Sequence, residues 1–125
     1  MHDQQAKGEA FWPLNKRGHA FVIPNPWDAG TARLLELVGF EALATTGAGL
    51  AFAAGRQDGS LGRERMLERV GDIVAATTLP VSADLEDGFG ASPEYVAETI
   101  RLAAATGLAG ASIEDRPGDR GNTLY

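Results

Sequence analysis

Apolar residues recur along this chain in two alternating rhythms. Short, nearly continuous apolar runs occur at 20–25 (AFVIPN), 41–46 (EALATT), 79–84 (LPVSAD) and 108–115 (LAGASIED). They lack the in-out alternation of a half-exposed strand, so they predict strands covered on both faces. Between them the period changes to that of a helix. In 28–40, Leu34, Leu35 and Val38 share a helical spacing, with Asp28 placed as N-cap and Gly39 as the stop. In 63–78, Met66, Leu67, Val70, Ile73 and Val74 line one face. A third helix is predicted to open at Ser92 and Pro93, carry Glu94 and Glu98 in its early turns, and close at Gly107. The small-residue stretch 47–60 (GAGLAFAAGRQDGS) predicts a loop, weakly packed and able to order on a ligand.

Strand and helix in alternation with short links predict right-handed βαβ units on a parallel sheet. Four such units in 125 residues suit an open doubly wound sheet or the first half of a (β/α)₈ barrel of roughly 250 residues. The first strand is not followed by G-x-G-x-x-G, which argues against a dinucleotide site. A half barrel would leave sheet edges unpaired, so the chain reads as a single incomplete domain, residues 1–125, of a longer parent or as one of two copies that assemble. Alone, it is expected to self-associate and to be catalytically weak.

Composition narrows the function. The chain has no cysteine, which removes disulfides, thiolate metal sites and cysteine nucleophiles. A net charge of -6 disfavours nucleic acid and anionic membrane as partners. Neither a membrane-length apolar run nor a signal-peptide core is present, and the expected location is cytoplasmic. His2 and His19 lie away from every predicted strand exit and read as solvated. Phe11, Trp12 and Trp27 read as packing residues at the bottom or rim of the barrel.

The acidic residues carry the chemistry. Asp84, Glu86 and Asp87 follow the third strand, Glu114 and Asp115 follow the fourth, and Asp58 lies in the long connection after the second. In parallel α/β folds the working site is built at these carboxyl ends. Asp87 or Asp115 alone reads equally well as a cap or a solvated turn. Two clusters at consecutive strand exits repel one another unless shared protons or a cation compensate, and a hard divalent ion such as Mg²⁺ is the economical solution. An aspartyl-nucleophile phosphatase would need D-x-D after the first strand, where this chain reads IPNPWDAG.

The segments PNPWDAGTAR, ATTGAGLAFAAGRQDGS, LPVSADLEDGFG and GLAGASIEDR, taken in order, resemble the isocitrate lyase and phosphoenolpyruvate mutase superfamily. That resemblance implies a Mg²⁺-dependent (β/α)₈ enzyme acting on a small α-keto or α-hydroxy carboxylate through a stabilised enolate. It implies that Thr45, Thr46 and Gly47 bind the substrate carboxylate, that Asp58 stands at the reacting centre, and that Asp84, Glu86 and Glu114 hold Mg²⁺ directly or through water. It also implies a homo-oligomeric parent. The Lys-Lys-Cys-Gly-His loop of the isocitrate and methylisocitrate lyases is replaced by RPGDRGNTLY, which points away from those two activities. Glu86 stands where an aspartate is commoner. The competing expectation is a non-catalytic α/β module that keeps only the metal and anion pocket.

Overall fold

The computed structural model describes residues 2–115. The elements run α1 (His2–Leu14), α2 (Ala29–Val38), β1 (Leu43–Ala44), α3 (Gly47–Ala53), α4 (Arg63–Ala76), β2 (Val81–Asp84), α5 (Pro93–Ala105) and β3 (Gly110–Ser112). The sheet is parallel in the order β1-β2-β3, with Leu43 opposite Val81 and Ser82 opposite Gly110. These are the parallel βαβ units of the first half of a (β/α)₈ barrel. Among the described residues no helix is long and apolar enough to cross a membrane.

The core lies between the sheet and its helices. Leu43, Val81, Ala83 and Leu85 pack against Leu50 of α3, Met66, Val70, Ile73 and Val74 of α4, and Ala103 of α5. The predicted face of α4 is the buried one, because its apolar residues at three- and four-residue spacing meet the buried face of the sheet. The expectation of strands covered on both faces is not met: β2 alternates buried and half-buried residues, and Ala111 and Ser112 of β3 are exposed. The caps also form where the sequence places them. Asp28 accepts the Thr31 amide at 2.7 Å while the Thr31 hydroxyl accepts the Asp28 amide at 3.1 Å, a reciprocal capping box. Gly39 ends α2 in the left-handed region at φ 99°. Ser92 caps α5 through the Tyr95 amide, with Pro93 in the first turn.

Several expectations are corrected. Residues 20–25 form no regular strand; the segment runs beside β1 through one backbone bond, Ala44 N–H to Pro24 O, and the Asn25 side chain. Pro24 and Pro26 have no N–H to offer, so the ladder cannot continue. The strands predicted at 41–46, 79–84 and 108–115 shorten to β1, β2 and β3. Of the apolar stripe predicted for α2, Leu34 and Val38 face outward and Leu35 packs against the core, while Ala32 is the residue α2 buries completely.

The stretch 47–53 is a helix rather than a loop. Thr46 caps it by accepting the Gly49 amide at 3.4 Å, and Gly47, Gly49, Leu50 and Ala51 are buried. Its glycines serve close approach instead of mobility. A Cβ at Gly49 would lie 2.6 Å from both Thr46 Cγ2 and the Trp27 ring. Only residues 54–62, from which Asp58 projects, remain an open connection.

Helix α1 has no counterpart in the apolar pattern, because HDQQAKGEAFWPL presents no apolar stripe. It is held by tertiary contacts at the N-terminal ends of the strands. Gln4 donates to the Ala104 and Leu108 carbonyls, buried Lys7 donates to the Thr77 carbonyl, and Phe11 packs against Gly110. Trp12 is exposed, with Lys16 Nζ 4.4 Å from its ring centroid. Helix α1 therefore closes one end of the sheet.

Candidate functional site

At the carboxyl end of β1, Thr45 is 4% exposed, and its hydroxyl accepts the Asp84 amide at 3.1 Å. Thr45 therefore fixes the strand exits to one another from behind the site. Thr46 caps α3 and lies beside the Trp27–Gly49 contact. The Gly47 amide donates to Asp84 Oδ2 at 3.1 Å, so the first turn of α3 meets the β2 exit directly.

Asp84 is bound through both oxygens. Oδ2 accepts from Gly47, and Oδ1 accepts the Glu86 amide at 3.0 Å, which folds the chain back at the end of β2. That fold costs backbone strain, because Glu86 at φ 50° and Phe89 at φ 64° are both left-handed without being glycine. The Glu86 carboxylate then sits over Gly47, where a Cβ would come within 2.8 Å of Oε1 and 3.4 Å of Asp84 Oδ2. Gly47 is thus required by the close approach of two carboxylates.

Glu86 is electrostatically the most perturbed group. Burial, followed by the charges of Asp84, Asp58, Asp87 and Glu114, pushes its carboxyl up to about 7. Desolvation and like charge both disfavour the ionised form. The residues anticipated at strand exits therefore act on one group, including Asp58 from the distant connection. Glu114 joins through its backbone, its amide donating to the Glu86 carbonyl at 2.7 Å, and its side chain is exposed. Asp87 accepts the Phe89 amide at 2.9 Å. Between the β3 exit and the start of α5 lies a wide groove of about 460 Å³, walled by Pro93, Val96 and Ile113 and rimmed by Asp87 and Glu114.

The donor set consists of hard carboxylate oxygens, which suits a divalent cation of the Mg²⁺ type. Among the described residues, however, no group of three or more His, Cys, Asp or Glu side chains is gathered closely enough to hold a metal ion as it stands. Asp84 and Glu86 face each other across Gly47, while Glu114 and Asp58 reach the cluster through their charge. Such a site fits an ion bound by one or two carboxylates, with water completing the shell. The segment RPGDRGNTLY lies outside the described residues.

Trp27, read from the sequence as a packing residue, packs on the first turn of α3. One contributor was not singled out by sequence: Tyr95, which packs on Gly90 of the acidic loop. It carries no local signal, since an aromatic near a glycine becomes meaningful only when the fold joins them.

Comparison with known proteins agrees with this architecture. The family model for phosphoenolpyruvate phosphomutase matches residues 11–125. A solved protein of Burkholderia cenocepacia J2315, provisionally named a lyase/mutase, superposes with TM-score 0.94 at 58% identity over 98% of this chain and 44% of that one. The 2,3-dimethylmalate lyase of Eubacterium barkeri is 36% identical over 76% of this chain and 33% of its own length. A crystal structure of a 2,3-dimethylmalate lyase, a PEP mutase/isocitrate lyase superfamily member, superposes with TM-score 0.82 at 30% identity. The 2-methylisocitrate lyase of Halalkalibacterium halodurans is 32% identical over 90% of this chain and 38% of its own length. The chain thus spans less than half the length of each of these relatives. With the family model covering nearly the whole sequence, this chain belongs to the phosphoenolpyruvate phosphomutase family.

Proposed function

We propose that this chain supplies the metal- and carboxylate-binding part of a Mg²⁺-dependent, lyase-type active site for a small α-keto or α-hydroxy carboxylate. The observation that carries the reading is the Asp84–Glu86 pair over Gly47, with Glu86 pushed up to about 7 by burial and four neighbouring carboxylates. A divalent cation held by Asp84 and Glu86, with Glu114 acting through its water shell, would relieve that repulsion. When bound, the ion supplies positive charge at the carbonyl oxygen next to the breaking bond. The chain's own groups do the rest. The Gly47 amide, now donating to Asp84, is the donor for which a substrate carboxylate would compete. Asp58, whose charge reaches Glu86 from the connection between α3 and α4, would stand at the reacting centre and exchange a proton with substrate.

A second reading, a non-catalytic module that binds cation and carboxylate without turnover, is favoured by the acids not meeting as a closed ligand set. Calorimetric titration with Mg²⁺ and with a panel of α-keto and α-hydroxy acids, followed by turnover assays, separates the two. Binding with turnover supports the enzyme, and binding without turnover supports the module. No Mg²⁺ binding by the wild type sinks both.

A further inference from the structure

Arg63 breaks three local rules at once. It places a cation in the first turn of α4, where the helix dipole disfavours positive charge. Its helix begins at Gly62 without a side-chain cap. Its Nε and Nη1 are buried without a hydrogen-bond acceptor, while Nη2 reaches Glu64 at 3.2 Å. Conflicts of this kind concentrate where a structure holds something in place.

What Arg63 meets is Tyr95. The guanidinium carbon lies 4.2 Å from the ring centroid, a cation–π stack with the arginine side chain only 15% exposed. The ring in turn lies against Gly90, where a Cβ would come within 2.5 Å of Tyr95 Cδ1. The next residues of α5 grip the same loop. Val96 lies within 2.9 Å of a Cβ built at Gly88, and the Thr99 hydroxyl donates to the Gly88 carbonyl at 2.9 Å. Gly88 and Gly90 bracket Phe89 and follow Glu86, the two non-glycine residues in left-handed backbone among the described residues. A strained loop persists only when its surroundings over-determine it.

We propose that Arg63 is a positioning residue: by backing the Tyr95 ring against Gly90 it fixes the acidic loop that carries Asp84, Glu86 and Asp87. The inference rests on the proposed cation-binding role of that loop for its functional consequence, but not for its geometry. Arg63 spends its stacking energy on a neighbouring helix, and through that helix on the carboxylates. The planar guanidinium matters as well as the charge, since an ammonium covers the ring face less completely.

Amide hydrogen exchange on the full chain without metal tests the geometry first, through the Gly88 and Phe89 amides, which donate to the Leu85 carbonyl and to Asp87. Arg63→Met and Tyr95→Leu should each speed exchange at these two amides about fivefold, leaving the amides of Val70, Ile73 and Val81 unchanged. Tyr95→Phe should match the wild type, and Arg63→Lys should fall between. Mn²⁺ affinity, followed by electron paramagnetic resonance, should fall in the same order at an unchanged melting temperature. Wild-type loop protection in Arg63→Met, or acceleration spread equally over α4 and β2, overturns the proposal. If Arg63→Met does not fold, Arg63→Lys decides by the same criteria: faster exchange at the Gly88 and Phe89 amides alone supports the proposal, and wild-type loop protection overturns it. A loosened loop in a protein whose wild type binds no Mn²⁺ supports the positioning role and rejects the cation reading instead.

Discussion

The two ends of this parallel sheet treat polar groups in opposite ways. At the N-terminal ends of the strands, helix α1 satisfies carbonyls that the helix ends leave open: Lys7 donates to Thr77 after α4, and Gln4 donates to Ala104 at the end of α5 and to Leu108 before β3. At the carboxyl ends, acids are crowded together, backbone is held at positive φ, and Glu86 is pushed up to about 7. One end is closed by α1 and the other gathers acidic side chains, the end where a (β/α)₈ scaffold is expected to carry its site. The contrast also separates acids at the same end. Asp28 is held below its usual range, chiefly by the Thr31 hydrogen bonds, because it caps a helix; Glu86 is raised because it is buried among its own kind.

The comparison can be broken most sharply at the acidic end. Glu86→Gln removes a proposed ligand while preserving shape, so Mg²⁺ affinity measured by calorimetry should fall about a hundredfold or more. Stability should hold or rise above pH 7, because repulsion with Asp84 is relieved. Unchanged Mg²⁺ affinity would remove Glu86 from the site.

Lys7→Met should do the reverse. It strands the Thr77 carbonyl and should cost about 1–3 kcal/mol in chemical denaturation, with Mg²⁺ affinity unaltered. A loss of affinity equal to that of Glu86→Gln would dissolve the distinction between the ends.

Asp28→Ala sharpens the contrast between the acids. Loss of the α2 cap should cost about 1 kcal/mol of stability and leave Mg²⁺ titrations unchanged. A large effect on binding would show that Asp28 belongs to the site after all.

The last effect is in the pH dependence. The Glu86 carboxyl in the folded protein titrates near 7, against an ordinary value of 4.5. Between these values the folded state keeps a proton that the unfolded state has released. Glu86 therefore makes stability decline as pH rises through this window. Denaturation midpoints from pH 4.5 to 8 should show that component in the wild type and lose it in Glu86→Gln. Identical profiles for the two proteins would mean that Glu86 is not perturbed.

The sequence by itself determined the features that depend on neighbours along the chain. The apolar face of α4, the Asp28 and Ser92 caps, the Gly39 stop and the acids at successive strand exits are all encoded within a few residues of where they act. Periodicity and capping chemistry are local, so they can be read before folding. Tertiary structure alone decided the rest. Helix α1 forms on contacts made across about a hundred residues, from Gln4 to Ala104 and Leu108, with no apolar stripe to announce it. The small residues of 47–53 become a helix because Trp27 and Glu86 press against its glycines, a close approach that mimics loop composition in the sequence. The outward turn of Leu34, Leu37 and Val38 depends on which side of α2 meets α4. The raised carboxyl of Glu86 depends on Asp58, 28 positions away along the chain, arriving beside it. Coulomb energy and steric fit depend on distance in space, and separation along the chain carries neither.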